Sequence, residues 1–522
     1  MKMVKSLLLA SAAGLVATAG AQAADLPVKA KAVEYVKICS LYGVGFYYIP
    51  GTDTCIRIGG HLRSEWGFFG NVGVQNWGSN QSLQDRASDY LYGRQRVFMH
   101  TDVRTQTEYG TLRAYSVIRW EYSTPAGTAG ATQTLGVDIG FIQWGGFLIG
   151  RAPDSAFTMP WNYGTTYNAS GTLGNADWAG ARMVTQYTYQ FGNGVSGTLS
   201  IEEAKQASQR ATYNGGAIVG TVNPLTGVLV TAANVNAQDT AILLPGTGLQ
   251  GTPGSIITNQ YGGTRMPDVV GQLRVDQAWG TFQVAGALHE NHALYYGGQE
   301  QTGHPNDVWG GAATAGIKIN TPWGTGDYLA LDGSWALGAT AYTYSFNGGL
   351  SSTPALFAFN SAPLGAYQTL NFGYVYDNVY AAGTALQLTT SWGARAAYHH
   401  AWSPNWATDV YGGYEKFHYN STANFILCNS SMAGVGATTL TGRLSSGVCN
   451  NDYSIAIVGS RTVWTPVKDF TLGVEALYSF HHSWNNGQFY TGSTADPFKP
   501  VANYWLKDAG ILSGLFTVRR YF

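Results

Sequence analysis

The chain is poor in charged residues and in long apolar runs, and each shortage narrows the classes of protein to which it can belong. Charged residues make up 11% of the 522 residues, far below the roughly 25% that is usual for soluble domains. Beyond the N-terminal region there is no run of about 18 apolar residues, which a membrane-spanning helix would need. Two classes remain: a soluble periplasmic protein, and a transmembrane β-barrel, whose alternating strands never build such a run.

Signatures of catalysis, cofactor binding and nucleic-acid binding are also missing. The sequence contains no HExxH, GxSxG or P-loop motif, and the GxGxxG match at 246–251 lies in a polar stretch with no helix after it. The adjacent pairs His399-His400 and His481-His482 lie in strands, so their side chains point to opposite faces and do not share a metal. The formal net charge of −1 gives no reason to expect a nucleic-acid partner. We therefore expect no enzyme activity, no cofactor and no metal site.

Cysteine is scarce, but its four copies suggest two disulfide bonds. The cysteines are Cys39, Cys55, Cys428 and Cys449, and an even count in an exported protein favours disulfides, with three connectivities open. We favour Cys39–Cys55, which would tie the N-terminal segment to the first strand, and Cys428–Cys449, which would brace a long loop. A redox or metal role is disfavoured because neither a CxxC motif nor a His/Cys cluster is present.

The N-terminal residues have the pattern of an export signal. Lys2 and Lys5 precede an apolar stretch over 7–19, which is followed by the small-residue site Ala21-Gln22-Ala23. This order predicts a signal peptide over 1–23. No cysteine stands directly after the cleavage site, where Ala24 and Asp25 follow, so a lipoprotein anchor is not expected.

Aromatic residues and glycine are abundant where charge is scarce. The chain has 33 Tyr, 21 Phe, 16 Trp and 68 Gly, and Tyr and Trp are enriched where a membrane protein meets the interface. No linker or break in composition divides the mature sequence. We therefore expect an N-terminal segment over 24–55 that leads into one barrel over 56–522.

Apolar and polar residues alternate along many segments, as in strands with one apolar face. Within 56–69, one face carries Ile56, Ile58, Leu62, Trp66 and Phe68, and the other carries Arg57, His61, Arg63 and Glu65. In a membrane barrel the apolar face contacts lipid and the charged face points into a wet lumen.

Sixteen such segments predict an all-β fold, a 16-stranded antiparallel transmembrane β-barrel. Their approximate spans are 56–69, 91–105, 111–122, 135–144, 147–152, 182–191, 195–203, 267–276, 280–290, 308–320, 326–344, 386–402, 406–419, 453–465, 469–482 and 511–522. A further candidate, 365–376, is assigned to a loop, because a barrel with both termini on the periplasmic side needs an even number of strands. Seven short connections then alternate with eight long ones, and we expect the short turns at the periplasm and the long loops outside.

The last strand-like run, 511–522, ends in the aromatic residue Phe522. A terminal aromatic residue is weak evidence alone, because many soluble proteins also end in Phe. Together with the export signal and the alternation of short and long connections, it favours a barrel in a bacterial outer membrane.

Arginine is frequent at the positions that the alternation points inward. These arginines are Arg57, Arg63, Arg94, Arg96, Arg104, Arg113, Arg119 and Arg182, and His100, Asp102, Glu121 and Asp138 also point inward. One interpretation is a set of solvated polar faces in which neighbours pair. The other is a basic wall along one side of the lumen, since adjacent strands lie about 4.8 Å apart and guanidinium groups stay charged.

The third long connection, about 153–180, carries Asp154 and Asp177 and follows this basic region. If the loop folds into the barrel, these acids would face the arginines, and the transverse field would orient dipolar solutes and pass small polar ones. An ordinary surface loop is the alternative.

Four segments carry a resemblance to a known family. They are the start Ala24-Asp25-Leu26-Pro27, the stretch from Val36-Lys37-Ile38-Cys39 to Cys55-Ile56-Arg57-Ile58-Gly59-Gly60, the segment from Phe141-Ile142-Gln143-Trp144 to Gly150-Arg151-Ala152, and the terminal Arg519-Arg520-Tyr521-Phe522. With these segments the sequence resembles the alphaproteobacterial porin family of the outer membrane.

The resemblance implies a homotrimeric, general diffusion porin for small hydrophilic solutes and ions. It implies that the third loop folds inward as the pore constriction, and that trimers pack through the barrel walls near the terminal strands. It also implies contact with outer-membrane lipid and lipopolysaccharide, and recognition of Phe522 by the barrel-assembly machinery. The alternative is a substrate-specific channel, for example for sugars, whose mark would be a line of inward aromatic residues; most aromatic residues here fall on the lipid face.

Overall fold

The computed structural model describes residues 38–68, 91–124, 132–153, 156–161, 181–204, 212–215, 260–296, 300–344, 355–359, 369–429, 432–433, 441–491 and 502–522. The predicted signal peptide therefore lies outside the described residues. The chain divides into two compact units, Met1–Ile56 and Arg57–Phe522.

The described part of the first unit is a small cross-linked hairpin. A disulfide joins Cys39 to Cys55, whose Cα atoms lie 6.1 Å apart, and both cysteines are buried with Phe46. A short strand, Tyr47–Tyr48, pairs antiparallel with Cys55 and Ile56. The predicted pairing of these two cysteines is confirmed.

Sixteen antiparallel strands of the described chain form the barrel. They are β1 (Cys55–Phe68), β2 (Leu91–Thr107), β3 (Gly110–Ser123), β4 (Thr132–Trp144), β5 (Phe147–Ala152), β6 (Arg182–Gly192), β7 (Val195–Glu202), β8 (Asp268–Gln277), β9 (Gly280–Asn291), β10 (Val308–Asn320), β11 (Tyr328–Leu337), β12 (Thr390–Ser403), β13 (Trp406–His418), β14 (Tyr453–Val467), β15 (Phe470–Ser483) and β16 (Ala509–Tyr521). Each pairs with the next in chain order, and β1 pairs with both β2 and β16. The predicted fold class is confirmed.

The seam between β1 and β16 closes the sheet. The register runs from His61 opposite Tyr521 to Phe68 opposite Gly514. The last residue, Phe522, exchanges two backbone hydrogen bonds with Gly60, at 2.9 and 3.1 Å. Closure matters because a strand edge with unpaired backbone groups is not tolerated in lipid.

Connections between barrel strands alternate between tight turns and long segments, as predicted. The β6–β7 turn has Asn193 at φ 50° and Gly194 at φ 75°, the left-handed pair that a two-residue hairpin requires. In contrast, 203–267 separates β7 from β8 and 338–389 separates β11 from β12. Among the described residues, no helix is long and apolar enough to cross a membrane.

The two faces of the strands differ as the alternation predicts. On β1, the side chains of Ile58, Leu62 and Trp66 point outward and are 45–50% exposed, whereas Arg63 and Glu65 point inward and are buried. Outward apolar side chains that would be unfavourable in water are stabilised by contact with lipid.

Two predicted boundaries in the long β11–β12 region differ from the structure. The strand expected over 386–402 begins at Thr390, because Gln387 and Leu388 pair with Val379 and Asn378 instead. The strand expected over 326–344 ends at Leu337, because Gly338 adopts φ 62° and the next residues turn inward as a 3₁₀ helix, Thr340–Tyr342. The Thr340 N–H donates to Asp377 at 2.6 Å, which anchors this bend.

The segment 365–376 is correctly excluded from the barrel, although it contains a strand. Thr369–Tyr374 belongs to a separate six-stranded sheet with Ala355–Phe359, Asn503–Leu506, Asn486–Thr491, Thr441–Val448 and Met432–Ala433. A three-stranded sheet combines Thr212–Asn214, Asn378–Tyr380 and Gln387–Leu388. The helix α1 (Ser421–Asn429) is tied to the β14 entry by the disulfide Cys428–Cys449, which confirms the second predicted pairing.

Candidate channel lumen

Charged side chains line the inner face of the first four strands. We name this surface the arginine wall, and it consists of Arg57, Arg63, Glu65, Arg94, Arg96, Asp102, Arg104, Arg113, Arg119, Glu121 and Asp138. They come together because every second residue of a strand points to the same face and the four strands are neighbours. The inward orientation expected from the sequence agrees with this placement.

The buried end of the arginine wall is organised by one carboxylate. Glu65 Oε1 lies 3.1 Å from Arg63 Nε, and Glu65 Oε2 accepts a hydrogen bond from Arg94 Nε at 2.8 Å. All three side chains are nearly buried. Attraction between the Glu65 carboxylate and the two guanidinium groups offsets the cost of removing these charges from water. Loss of Glu65 would leave the arginines buried without a compensating charge.

The rest of the arginine wall is more open to the lumen. Glu121 accepts from Arg96 at 2.6 Å, and Arg119 lies 3.7 Å from Glu121 and 3.4 Å from Asp138. The side chains of Arg96 and Arg119 are 15% and 29% exposed.

A second ion-pair cluster, in which one carboxylate is shared by two arginines, lies nearer the short turns. Asp102 holds Arg104 at 2.8 Å and Arg113 at 3.0 Å. In the described residues of the arginine wall, seven arginines share four carboxylates, so the surface keeps a positive excess. A cavity of about 300 Å³ opens beside Arg63, Arg119 and Arg519.

The inner face of β8 to β15 carries a group of buried apolar residues among buried polar and charged ones such as Asp332, Arg395 and Asp409. We call this group the apolar wall. It consists of the buried inward residues Val270, Ala285, Ala287, Ala312, Ala330, Ala336, Ala397, Tyr411, Phe417, Ile455, Ile457 and Leu477. Residues from the long connections pack on it, among them Tyr374, Tyr376, Val379, Tyr419, Ile426, Leu427, Phe489 and Tyr504. These segments therefore fill part of the barrel on the side of the apolar wall.

Part of the third long connection also lies inside the barrel. Residues 156–161 are mostly buried, and the Ala156 N–H donates to Glu202 at 3.1 Å. Gln272 donates to the Ala156 carbonyl at 2.9 Å, and Gln283 donates to the Thr158 carbonyl at 2.9 Å. The inward-facing side chains of β7 to β9 thus hold this segment. Asp154 and Asp177 lie outside the described residues.

Arg182 points inward but is covered by the long connections. It is 1% exposed and lies 3.1 Å from Glu202, beneath the Tyr342 ring at 5.5 Å from its centroid. The Tyr342 hydroxyl donates to Asp268 at 2.7 Å. The alternation places Arg182 on the inner face, whereas its cover comes from residues 160 positions away in the sequence; its role as a pore-lining residue stays a prediction.

Several residues that organise the lumen were not among the predicted site residues. They are Glu65, Glu202, Asp268, Gln272 and Gln283, all on the inner face. The same alternation that selected the arginines would have selected them, because each occupies an inward position of its strand. In the part of the chain that the structure describes, no group of three His, Cys, Asp or Glu residues could hold a metal ion.

Comparison with known proteins links this lumen to a family. The sequence matches the family described as "Porin subfamily" over residues 25–515. It is 32% identical to the porin Omp2b of Brucella canis over 230 residues, which cover 42% of this chain and 58% of that protein. It is 33% identical to the porin Omp2a of Brucella ovis over 218 residues, which cover 38% of this chain and 59% of that protein. The matched segments therefore span less than two thirds of these relatives.

A solved structure shows the same fold at low sequence identity. The outer membrane channel DcaP of Acinetobacter baumannii superimposes with a TM-score of 0.53 at 11% identity, over 91% of this chain and 99% of that chain. At this identity the likeness concerns the barrel fold alone.

Proposed function

This chain belongs to the Porin subfamily, and we propose that it forms a water-filled channel for the passive diffusion of small hydrophilic solutes and ions. The family and the sixteen-stranded barrel make it a multi-pass protein of the bacterial outer membrane. The observation that carries the proposal is the arginine wall. Seven arginines stand beside four carboxylates there, and the side chains of Arg96 and Arg119 remain 15% and 29% exposed on the inner face, so water or ions must balance the positive excess.

The constriction is proposed to lie along the arginine wall. The segments packed on the apolar wall, together with residues 156–161, occupy the other side of the barrel and leave the charged side for passage. We propose Arg57, Arg63, Arg94, Arg96, Arg113 and Arg119 for the positive side, with Asp154 and Asp177 of the third loop opposite. Arg182 lies beneath Tyr342 and outside the arginine wall, so it would add to the field without touching the passage. The transverse field between them would favour dipolar solutes, because a polar molecule aligns with the field as it passes.

This function requires neither catalysis nor a cofactor. Diffusion through a wet pore is driven by the concentration gradient of the solute, and the pore supplies width and charge alone. We therefore propose a channel without enzyme activity.

The functional unit is proposed to be a homotrimer. Outward apolar side chains such as Leu62 and Trp66 on β1 can pack against a neighbouring barrel as well as against lipid. The expected result is an unheated oligomer band on a denaturing gel that collapses to a monomer on heating. A monomer band alone, from protein purified in mild detergent, would contradict the trimer.

The surrounding partners follow from the location of the barrel. Outer-membrane lipid and lipopolysaccharide would cover the outward apolar face, and the barrel-assembly machinery would recognise the terminal aromatic residue Phe522. That residue is 66% exposed although its backbone closes the β1–β16 seam, so the folded barrel makes little use of its ring.

Single-channel recording in planar bilayers tests the proposed function directly. Purified protein in potassium chloride should give stepwise, ohmic openings, since a permanently wet pore conducts ions in both directions. Bilayers that stay silent while the protein is folded, as judged by heat-modifiable migration, would refute the channel. A substrate-specific channel is the second candidate, favoured by a cavity on the β6–β9 side of the lumen.

A further inference from the structure

A cavity of about 600 Å³ lies between residues 156–161 and the inner faces of β6 to β9. This volume falls within the roughly 300–1,000 Å³ of typical small-molecule sites. It extends from Ala156 and Trp161 toward Gly194 in a short turn. It is thus enclosed on one side by the third connection and on the other by the barrel.

The lining of the cavity is polar but carries no net charge. Its inward strand positions form a grid of amide and hydroxyl side chains, comprising Gln186, Gln190, Thr188, Ser196, Thr198 and Gln272. The two charged residues that line it, Arg274 and Asp276, are bonded to each other through two hydrogen bonds of 2.8 and 2.9 Å. The arginine wall has a positive excess, so the two surfaces suit different solutes.

Two amide oxygens in this lining lack a protein partner. Gln186 is 8% exposed and Gln283 is fully buried, yet the Oε1 atom of each accepts no hydrogen bond from the described protein. The Gln283 amide nitrogen donates a hydrogen bond to the Thr158 carbonyl, whereas the amide oxygen receives no hydrogen bond from the described protein. Both oxygens have almost no solvent-accessible surface, so a bound molecule would reach either one only after the amide rotates toward the cavity. A buried acceptor without a donor is unfavourable, which favours such a rotation.

We propose that this cavity is a binding subsite for a neutral polyhydroxylated solute of the size of a mono- or disaccharide. The proposal rests on the proposed function, because the solute reaches the cavity by diffusing through the lumen. Hydroxyl groups donate and accept at once, which matches amides and hydroxyls that do the same. The Arg274–Asp276 pair neutralises itself and gives an anion no excess charge to bind.

The apolar part of the lining completes the match. Met159, Pro160 and Trp161 border the same cavity and supply surface for the C–H faces of a sugar ring. Small-molecule sites commonly combine such apolar surface with a few placed polar groups. The segment 156–161 thus brings apolar residues to a barrel face that is otherwise polar.

The test is saturation-transfer NMR on the full-length, detergent-purified protein with maltose as the probe. The wild type should give a saturable maltose signal, and Gln186→Met should weaken maltose affinity at least about fivefold, because the amide that pairs with sugar hydroxyls is replaced by an isosteric apolar chain. Gln106→Met is the matched control, since Gln106 lies opposite Thr111 on β2, four strands away from β6, and should leave affinity unchanged.

The outcomes separate this inference from the proposed function. No maltose signal from folded wild-type protein overturns the subsite, whether or not the barrel conducts in bilayers. A signal that phosphate displaces assigns the cavity to anions and also overturns the proposal. Equal weakening by Gln186→Met and Gln106→Met would show a general effect on the lumen, which overturns the assignment to this cavity. A silent bilayer with an intact maltose signal would instead refute the open channel and keep the subsite.

Discussion

The arginine wall and the apolar wall face each other across one barrel and are built by the same rule. Both occupy alternate positions of neighbouring strands, with lipid-facing residues between them. On β1, Arg63 and Glu65 alternate with Leu62 and Trp66; on β12, Arg395 and Ala397 alternate with Trp392 and Ala396. The outward faces are alike, but the inward faces differ because one borders open lumen and the other borders protein.

The difference shows that a side chain on the inner face of the barrel does not necessarily contact water. On the apolar wall, small residues such as Ala330 and Ala397 leave room for segments of the long connections, which bury tyrosine and aliphatic side chains there. On the arginine wall, the side chains are long, charged and held by shared carboxylates. The barrel therefore has a charged, partly exposed side and a side packed with protein, and the following changes should separate the two.

The largest effect is expected at the seam where the two halves meet. Phe522→Asp, or deletion of Phe522, should nearly abolish folded protein in the outer membrane, because the terminal aromatic is the expected assembly signal. Surface labelling of cells measures this. Tyr109→Asp is the control, since Tyr109 is an equally exposed aromatic at a short turn. Normal surface levels of the Phe522 variant would remove the assembly role.

The next largest effect is expected on the apolar wall. Phe417 is fully buried and packs edge-to-face on Tyr344 with ring centroids 5.7 Å apart. Phe417→Ala should lower the free energy of unfolding by about 3–5 kcal/mol and raise single-channel conductance, because the packed connections loosen. Thermal unfolding and bilayer recording measure the two effects.

The control for this change is a ring on the outer face of the same half. Phe480 on β15 is 40% exposed and points to lipid, so Phe480→Ala removes a similar ring without opening the interior. Both variants should keep the barrel. If they changed stability and conductance equally, the packed core would not differ from the lipid-facing surface.

A moderate effect is expected on the arginine wall. The double change Arg96→Gln and Arg119→Gln should shift ion selectivity toward cations, since it removes two positive charges and leaves Glu121 and Asp138 beside the passage. Roughly 0.5–1 kcal/mol per charge in a wet pore corresponds to a two- to fivefold change in the permeability ratio for each arginine, and to about 5- to 30-fold for the pair. Reversal potentials in a salt gradient measure it.

The opposite shift is expected from neutral replacements of Asp154 and Asp177. Arg265→Gln is the control, because Arg265 is exposed and pairs with Asp307 outside the arginine wall. If the reversal potential stayed constant both in the Arg96 and Arg119 variant and in the Asp154 and Asp177 variant, these side chains would not border the constriction.

The smallest effect is expected at the short turn between β10 and β11, which contains Asp327. Asp327 accepts hydrogen bonds from the Ala401 N–H at 2.9 Å and from His400 at 2.7 Å, and these donors lower its pKa to about 2. Because the folded pKa lies below the ordinary value, the carboxylate stabilises the fold above pH about 4 and loses this effect as the pH falls through about 2.

Asp327→Asn should therefore lower the Tm near neutral pH, and this difference from the wild type should disappear as the pH falls through about 2, as followed by circular dichroism. Asp469→Asn in the β14–β15 turn is the control, because Asp469 is half exposed. A Tm difference for Asp327→Asn that is independent of pH would assign the effect to shape rather than to charge.

Much of the barrel was predictable because strand alternation is a local property. The sixteen strands, the alternation of short and long connections and the inward direction of the arginines follow from residues that are neighbours in sequence. The boundary at Gly338 was missed, since the inward bend depends on Asp377, almost forty residues later. The shared carboxylates were partly visible, because Glu65 lies on the same strand face as Arg63.

The sequence alone determined which residues face lipid and which face inward, because a strand's period of two assigns sides whatever surrounds it. Only the tertiary structure decided which inward residues border solvent. Arg182 lies under Tyr342, Trp161 lies so near Gly316 that a Cβ there would come within 2.8 Å of it, and Gln283 holds Thr158. These contacts join residues more than a hundred positions apart, and they form because the closed barrel brings the long connections back onto its own inner face.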